Sequence, residues 1–396
     1  MQQPLNILMA AGVPRRREGG VAAIVYNYGS ELERRGHKVS YVFSEDLIKP
    51  DSVSRRFQEA IFAMRLGRYI AEHRKKFSIV NLHGPDGFAY GVRKHWSGGD
   101  SYPAYVMTLH GLEERRVHVM SREAKKGRAF HFSWKNRQWH RFYHFPRYRW
   151  SIRTADGVHT YSRDVWTLLQ LKYNLDRERT AYIPNGVEAR FDVPREYRTG
   201  ENIRLLYPGT WLDQRGIFYL RDALPRVIKK FPGMSLTVAG GGASAEEVQR
   251  FFGEDLKGKI LVRPVVAAGE MQQLYAEHDI LAFPSLMEGL PGVLLEAMAS
   301  GMPVITAETC GMTDVVENEY NGLLVPPANS AALEEAIVRL AGSVELRESL
   351  GAAARQTMKR YTWERSARQL EAFFYRILEA QHGRSHRGAE AHASSR

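Results

Sequence analysis

The chain has 396 residues, a formal charge of +12, 44% hydrophobic residues and 25% charged residues. That is the composition of a soluble globular protein with room for two domains, each with its own core. No apolar run reaches the roughly eighteen residues of a membrane span. The one cysteine, Cys310, excludes an internal disulfide and a multi-cysteine metal site, and fits a reducing cytoplasm.

The predicted elements begin with a buried strand over Leu5–Ala10. Arg15, Arg16 and Arg17 come after this apolar run, so the start reads as a strand and not as a secretory signal. A loop runs to Gly20. A helix follows with Val21, Val25, Tyr28 and Leu32 at helical spacing, and Gly36 ends it. Further strands are expected at Lys38–Phe43, Ser78–Leu82, Ala104–Leu109 and Gly157–Tyr161, and Ile183–Val187 reads as a closing turn. The charged segment Glu188–Asn202 is the linker candidate.

The second half repeats the alternation. Strands are expected at Ile203–Tyr207, Ser235–Ala239, Lys259–Val262, Ile280–Phe283, Pro303–Thr306 and Leu323–Val325, with helices between them. Helices near 331–341 and 346–359 complete this half. The last helix, 364–381, puts Leu370, Phe373, Phe374 and Ile377 on one apolar side. Residues 382–396 are small and polar and read as an unstructured tail. The expected domains are 1–187 and 203–363, both α/β with parallel sheets.

The most informative stretch is LAFPSLMEGLPGVLLEAMASGMPV, from Leu281 to Val304. It places Glu288 in a Pro/Gly loop and Glu296 on the helix that starts near Gly292. The two carboxylates can therefore line one pocket. The free N–H groups near Gly292 and Val293 suit a phosphate. Carboxylates for sugar hydroxyls beside donors for phosphate describe a nucleotide-sugar pocket.

This segment resembles the E-x7-E motif of the retaining family-4 glycosyltransferases of the GT-B fold, within a PS-x-x-EGLP…LLEAMASG-x-PVI pattern. The resemblance implies two doubly wound, Rossmann-like domains facing across a cleft, with the last helix crossing back to the first. It implies a nucleoside diphosphate sugar as donor, with no separate cofactor, and a sugar or lipid-linked acceptor. Glu296 would hold the ribose and Glu288 the transferred sugar, with Gly289 and Leu290 beside them. Gly209–Gly216 corresponds to the family's G-R-L-x-x-x-K-G diphosphate loop, with Thr210 in the Arg position and Arg215 in the Lys position. The Arg fork suits phosphate; Thr210 loses a charge. Thr108-Leu109-His110-Gly111 matches the position where a His lies beside the sugar. Cys310–Val316 resembles the G-G-x-x-E-V-V segment, so that Gly311 would offer backbone N–H to the sugar. Gly19-Gly20, after Glu18, would border the acceptor, or form a plain turn. Main chain near Val265 and Val266 would meet the base. No D-x-D pair stands where a metal would need one, so no metal is expected.

From Arg115 to Arg153 the chain holds twelve Lys/Arg, one acid (Glu123) and nine aromatics. No nucleic-acid module is present, so nucleic acid is not expected as a partner. Two readings stay open: an anionic membrane surface at the cytoplasmic face, and a solvated helix face with its aromatics in the core. Beside a glycosyltransferase of polysaccharide or glycolipid biosynthesis stands a catalytically silent relative that docks on a membrane or a biosynthetic partner. A nucleotide-sugar epimerase lacks its motif set here.

Overall fold

The computed structural model describes residues 3–17, 19–49, 55–97, 101–130, 132–200 and 202–393. The first six strands are β1 (Asn6–Ala10), β2 (Lys38–Val42), β3 (Ile79–His83), β4 (Ala104–Leu109), β5 (Gly157–Thr160) and β6 (Thr180–Tyr182). They form one sheet in the order β2-β1-β3-β4-β5-β6. The other six are β7 (Arg204–Pro208), β8 (Ser235–Ala239), β9 (Ile260–Arg263), β10 (Ile280–Phe283), β11 (Val304–Ala307) and β12 (Leu323–Val325). Their order is β12-β11-β10-β7-β8-β9. The pairings are parallel in both sheets.

The apolar runs explain this. Every residue of β3, β4, β10 and β11 is buried. A strand buried on both faces belongs in a parallel sheet covered by helices. Each sheet reverses its winding once, between β1 and β3 in the first and between β7 and β10 in the second. Chain leaving two such strands diverges to opposite faces and opens a crevice at their carboxyl ends. The Gly209 loop follows β7 and the Glu288 loop follows β10, so both motifs meet at the second sheet's switch point.

The chain divides into two compact units. The first comprises Met1–Glu113, Gln138–Asn185 and Trp363–Arg396; the second comprises Glu114–Arg137 and Gly186–Thr362. Each has its own apolar core, around Leu82, Met107 and Val158 in the first and around Leu205, Leu236 and Ile280 in the second.

Two segments and the end of the last helix differ from the expected bounds. Glu114–Arg137 belongs with the second unit, because Glu123 accepts from the Tyr219 hydroxyl, Arg128 pairs with Asp222 at 2.8 Å, and Phe130 packs 4.8 Å from Phe218. Glu188–Asn202 is fastened to that unit and is no free linker. Arg195 donates to the carbonyls of Tyr275 and His278, and the Tyr197 hydroxyl donates to the Gly301 carbonyl at 2.8 Å. The last helix spans Trp363–Ala393, past the expected 381, so the described part of the 382–396 tail is helical backbone. Two glycines interrupt this stretch but no proline does, and alanine, arginine and glutamate favour helix. Ser366 anchors the helix in the first unit by donating to the Pro184 carbonyl at 2.7 Å.

Candidate functional site

In the second unit the loops after β7 and β10 lock together. Leu286 N–H donates to the Gln214 carbonyl at 2.8 Å, and Ser285 Oγ reaches the same oxygen at 3.3 Å. Gly216 adopts φ 76°, and a β-carbon there would stand 2.0 Å from the Pro284 carbonyl oxygen. Only glycine combines that φ with that approach. The result brings Arg215 to Glu288, with Nε 3.4 Å from Oε1. This is an ion contact without hydrogen-bond geometry, because the buried Arg215 Nε–H has no hydrogen-bond acceptor among the described residues. The guanidinium lies 5.4 Å from the centre of the Phe283 ring, and a β-carbon on Gly209 would come within 2.7 Å of Nη1. Ser285 Oγ also donates to Glu288 at 3.0 Å. Burial pushes the Glu288 carboxyl up, while Arg215 and Ser285 pull it back down.

Glu296 sits on the helix Gly292–Ala299. The Tyr275 hydroxyl donates to its Oε2 at 2.8 Å. Burial raises this carboxyl too, against the Tyr275 bond. Its other oxygen is turned toward the helix start, 3.7 Å from where a Gly292 β-carbon would be. The N–H groups of Gly292 and Val293 stand at that start, where an α-helix has no internal acceptors for them. Gly311 closes the site from below. A β-carbon on it would fall 1.9 Å from the Gly289 carbonyl oxygen, with Leu290 next to it, so the 310–312 turn packs directly on the acidic loop. Thr210 is exposed. Val265 is 83% exposed, its side chain turned to solvent.

In the first unit His110 follows β4 and is partly exposed. Its Nε2 meets His83 Nδ1 at 2.9 Å, and its ring lies 5.3 Å from Tyr161. Burial lowers His110 to about 4. Below the pair, Thr108 Oγ1 joins Asn81 Nδ2 and His159 Nε2, each at 2.8 Å. Burial, then the neighbouring His110, lower His159 to about 3. Gly12 N–H donates to Asp86 at 2.7 Å across the first sheet's switch point, and burial raises Asp86 to about 7. Gly19 and Gly20 both have positive φ, as a tight turn needs; Glu18 lies outside the described residues.

The family profile described as glycosyl transferases group 1 matches residues 202–343, and the one described as glycosyltransferase family 4 matches residues 18–191. The chain belongs to the family-4, group 1 glycosyltransferases. Its fold is of the GT-B class. Sucrose-phosphate synthase from Thermosynechococcus elongatus superposes with a TM-score of 0.76 over 96% of this chain and 100% of that one, at 20% identity. HepE from Anabaena, in complex with UDP and glucose, gives a TM-score of 0.63 over 93% of this chain and 98% of that one, at 16% identity. A GDP-mannose-dependent phosphatidylinositol monomannoside mannosyltransferase of Mycobacterium tuberculosis is 26% identical over 48% of this chain and 54% of its own length. The chain spans 54%, 65% and 54% of the length of three of the curated relatives it matches, and as little as 21% of another.

Several contacts around the candidate site join residues that their spacing in the sequence does not pair. Tyr275 is twenty-one residues from Glu296 in a different helix. The His83–His110 pair exists only because β3 and β4 are neighbours, with His83 opposite Thr108. Ser285 lies inside the quoted motif, and its spacing of three from Glu288 was the available clue. In the basic stretch the aromatics are divided: Phe132 is buried, whereas Phe130, Trp134, Phe142 and Trp150 are exposed, and Arg147 is buried against Tyr143. This differs from a helix face with its aromatics in the core. Among the described residues no helix is long and apolar enough to cross a membrane.

Proposed function

We propose that the chain transfers a glycosyl group from a nucleoside diphosphate sugar to a hydroxyl of a sugar or lipid-linked acceptor, with retention at the anomeric carbon. The observation that carries this is Arg215, poised over Phe283 against Glu288 with a buried N–H that finds no acceptor among the described residues. Breaking the bond from sugar to phosphate leaves a diphosphate whose growing negative charge must be met. A fixed guanidinium and the N–H groups at Gly292 and Val293 meet it without reorganising. Thr210 and Gly209 complete the loop around the same phosphates. Glu288 takes hydroxyls of the transferred sugar; Glu296, steadied by Tyr275, takes those of the ribose. Main chain at Val265 faces the base, and Gly311 offers backbone N–H to the sugar. His110 orients the sugar, and Gly20 borders the acceptor. The positive charge comes from Arg215 and the helix start, so a chelator leaves the rate unchanged.

The test is thermal unfolding of the purified chain with UDP, GDP, ADP and their sugars. One nucleotide should raise the midpoint, and Glu296→Ala should abolish the shift. If no nucleotide stabilises the protein, the reading falls.

Exposed Thr210 favours the second reading, a chain that binds a nucleotide without transfer, because no cation stands at that position. Release of free sugar or of glycosylated acceptor from the donor decides against it.

For the acceptor we propose contact with an anionic membrane surface. Trp96, Phe142 and Trp150 are 79%, 73% and 40% exposed, among exposed Arg93, Arg141 and Arg153. Interfacial aromatics with cations beside them suit lipid head groups. The phosphatidylinositol monomannoside in the mycobacterial relative's name agrees with a lipid-linked substrate. Anionic vesicles should sediment the protein at low salt and release it at high salt; no binding at low salt ends this part of the proposal.

A further inference from the structure

His83 and His110 share one proton across a 2.9 Å contact between Nδ1 of the first and Nε2 of the second. Two arrangements are open to them. If His110 donates, His83 must carry its own proton on Nε2, a buried atom with no acceptor among the described residues. If His83 donates, its Nε2 is a bare lone pair, and His110 carries its proton on Nδ1. A buried N–H without an acceptor is the rarer defect in folded proteins. The surroundings keep both rings fixed. His83 is 2% exposed, at the end of a wholly buried strand, and its ring centre lies 5.1 Å from that of His110. Tyr161 packs on His110 5.3 Å away, and His159 stands 5.2 Å from Tyr161. Burial holds both paired rings below their usual pKa, so neither takes the second proton that would dissolve the choice.

We propose that His83 is a positioning residue that locks His110 in the Nδ1–H tautomer, so that His110 presents a hydrogen-bond donor to an oxygen of the bound sugar or its phosphate. This rests on the role toward the sugar proposed for His110 above. A neutral donor suits an oxygen-rich, negatively charged substrate, whereas the other tautomer would turn a lone pair on it. The role belongs to His83 because, among the described residues, no other hydrogen bond reaches the His110 ring.

The experiment uses the full chain labelled with 15N-histidine. The His110 signal is assigned by its loss in His110→Asn, and the tautomer is read from the ring nitrogens at neutral pH. The expected result is Nδ1–H; finding Nε2–H overturns the proposal. His83→Phe should convert His110 to the other tautomer or a mixture. His83→Asn, whose amide N–H falls near the place of Nδ1, should restore the original. In transfer assays His83→Phe should lower kcat about tenfold, as loss of one neutral donor bond does, with donor KM unchanged and His83→Asn recovering most of it. Equal kcat for His83→Phe and the unchanged chain overturns the positioning role. Should His83→Phe not fold, the tautomer in the unchanged chain and the Asn variant still decide. Should the chain show no transfer at all, the functional reading fails while the tautomer measurement stands apart from it.

Discussion

The acidic loop of the second unit and the histidine cluster of the first bury ionisable side chains in opposite ways. In the second, Glu288 and Glu296 are raised by burial but each is given a partner, an arginine and a serine for one and a tyrosine for the other. In the first, His83, His110 and His159 are lowered by burial and partnered chiefly with neutral groups, including one another. One region keeps charge available inside the fold; the other removes it and keeps directed hydrogen bonds. Under the proposed function, the first arrangement suits a group that must meet a diphosphate, and the second suits one that must aim a sugar.

The sharpest way to break this comparison is to remove the charge. Arg215→Ala should lower kcat by roughly 10²–10³-fold, as loss of a preorganised charge-stabilising group does. Arg215→Lys should recover only part, since the ammonium lacks the planar fork. Steady-state kinetics with the donor identified by thermal shift would measure both. Next in size is the clamp between loops. Gly216→Ala should destabilise the second unit by about 3 kcal/mol or more, combining left-handed strain with a clash on Pro284. Denaturant midpoints read this directly.

A third test separates the units by pH. His110 falls from 6.5 to about 4 and His159 from 6.5 to about 3 in the folded chain, with His83 also lowered. The unfolded chain therefore binds more protons between those values, and these groups lose stability as pH falls from 6.5 toward 4. Asp86, raised to about 7, acts oppositely: its contribution is complete below about 4 and lost as pH rises through 7. Glu288 and Glu296 share the sign of Asp86, against His278 in their own unit. Hydrogen exchange should show β3–β5 losing protection on acidification before β7 and β10, by on the order of 2 kcal/mol. Asp86→Asn should steepen that loss. Equal loss in both regions would erase the contrast. The smallest effect belongs to Tyr275→Phe, which removes one hydrogen bond to a carboxylate and should weaken nucleotide binding by about 1.5 kcal/mol, measured by calorimetry.

The parallel sheets were legible because a strand buried on both faces must be apolar throughout, as Ile280–Phe283 and Val304–Ala307 are. β6, Thr180–Tyr182, was not: three residues with a hydroxyl at each end carry too little pattern. The pairing of Glu288 with Arg215 was within reach, since each follows a strand with glycine beside it. Which strands adjoin is a property of sheet order, so Tyr275 and His83 could not be matched to their partners from spacing alone. The allegiance of Glu114–Arg137 rests on three side chains, Glu123, Arg128 and Phe130, whose partners lie about ninety to one hundred and twenty residues away.

The turn beneath the acidic loop has a practical consequence. Cys310 is the protein's sole thiol, 4% exposed, with φ 53° and Sγ 3.4 Å from the Thr309 hydroxyl, directly before the glycine that presses on Gly289. An alkylating reagent reaches that sulfur only when the turn lifts, and lifting it frees the peptide under Glu288. The native-state labelling rate of one sulfur atom therefore clocks how often the acidic loop comes loose, and a ligand seated on that loop should slow it.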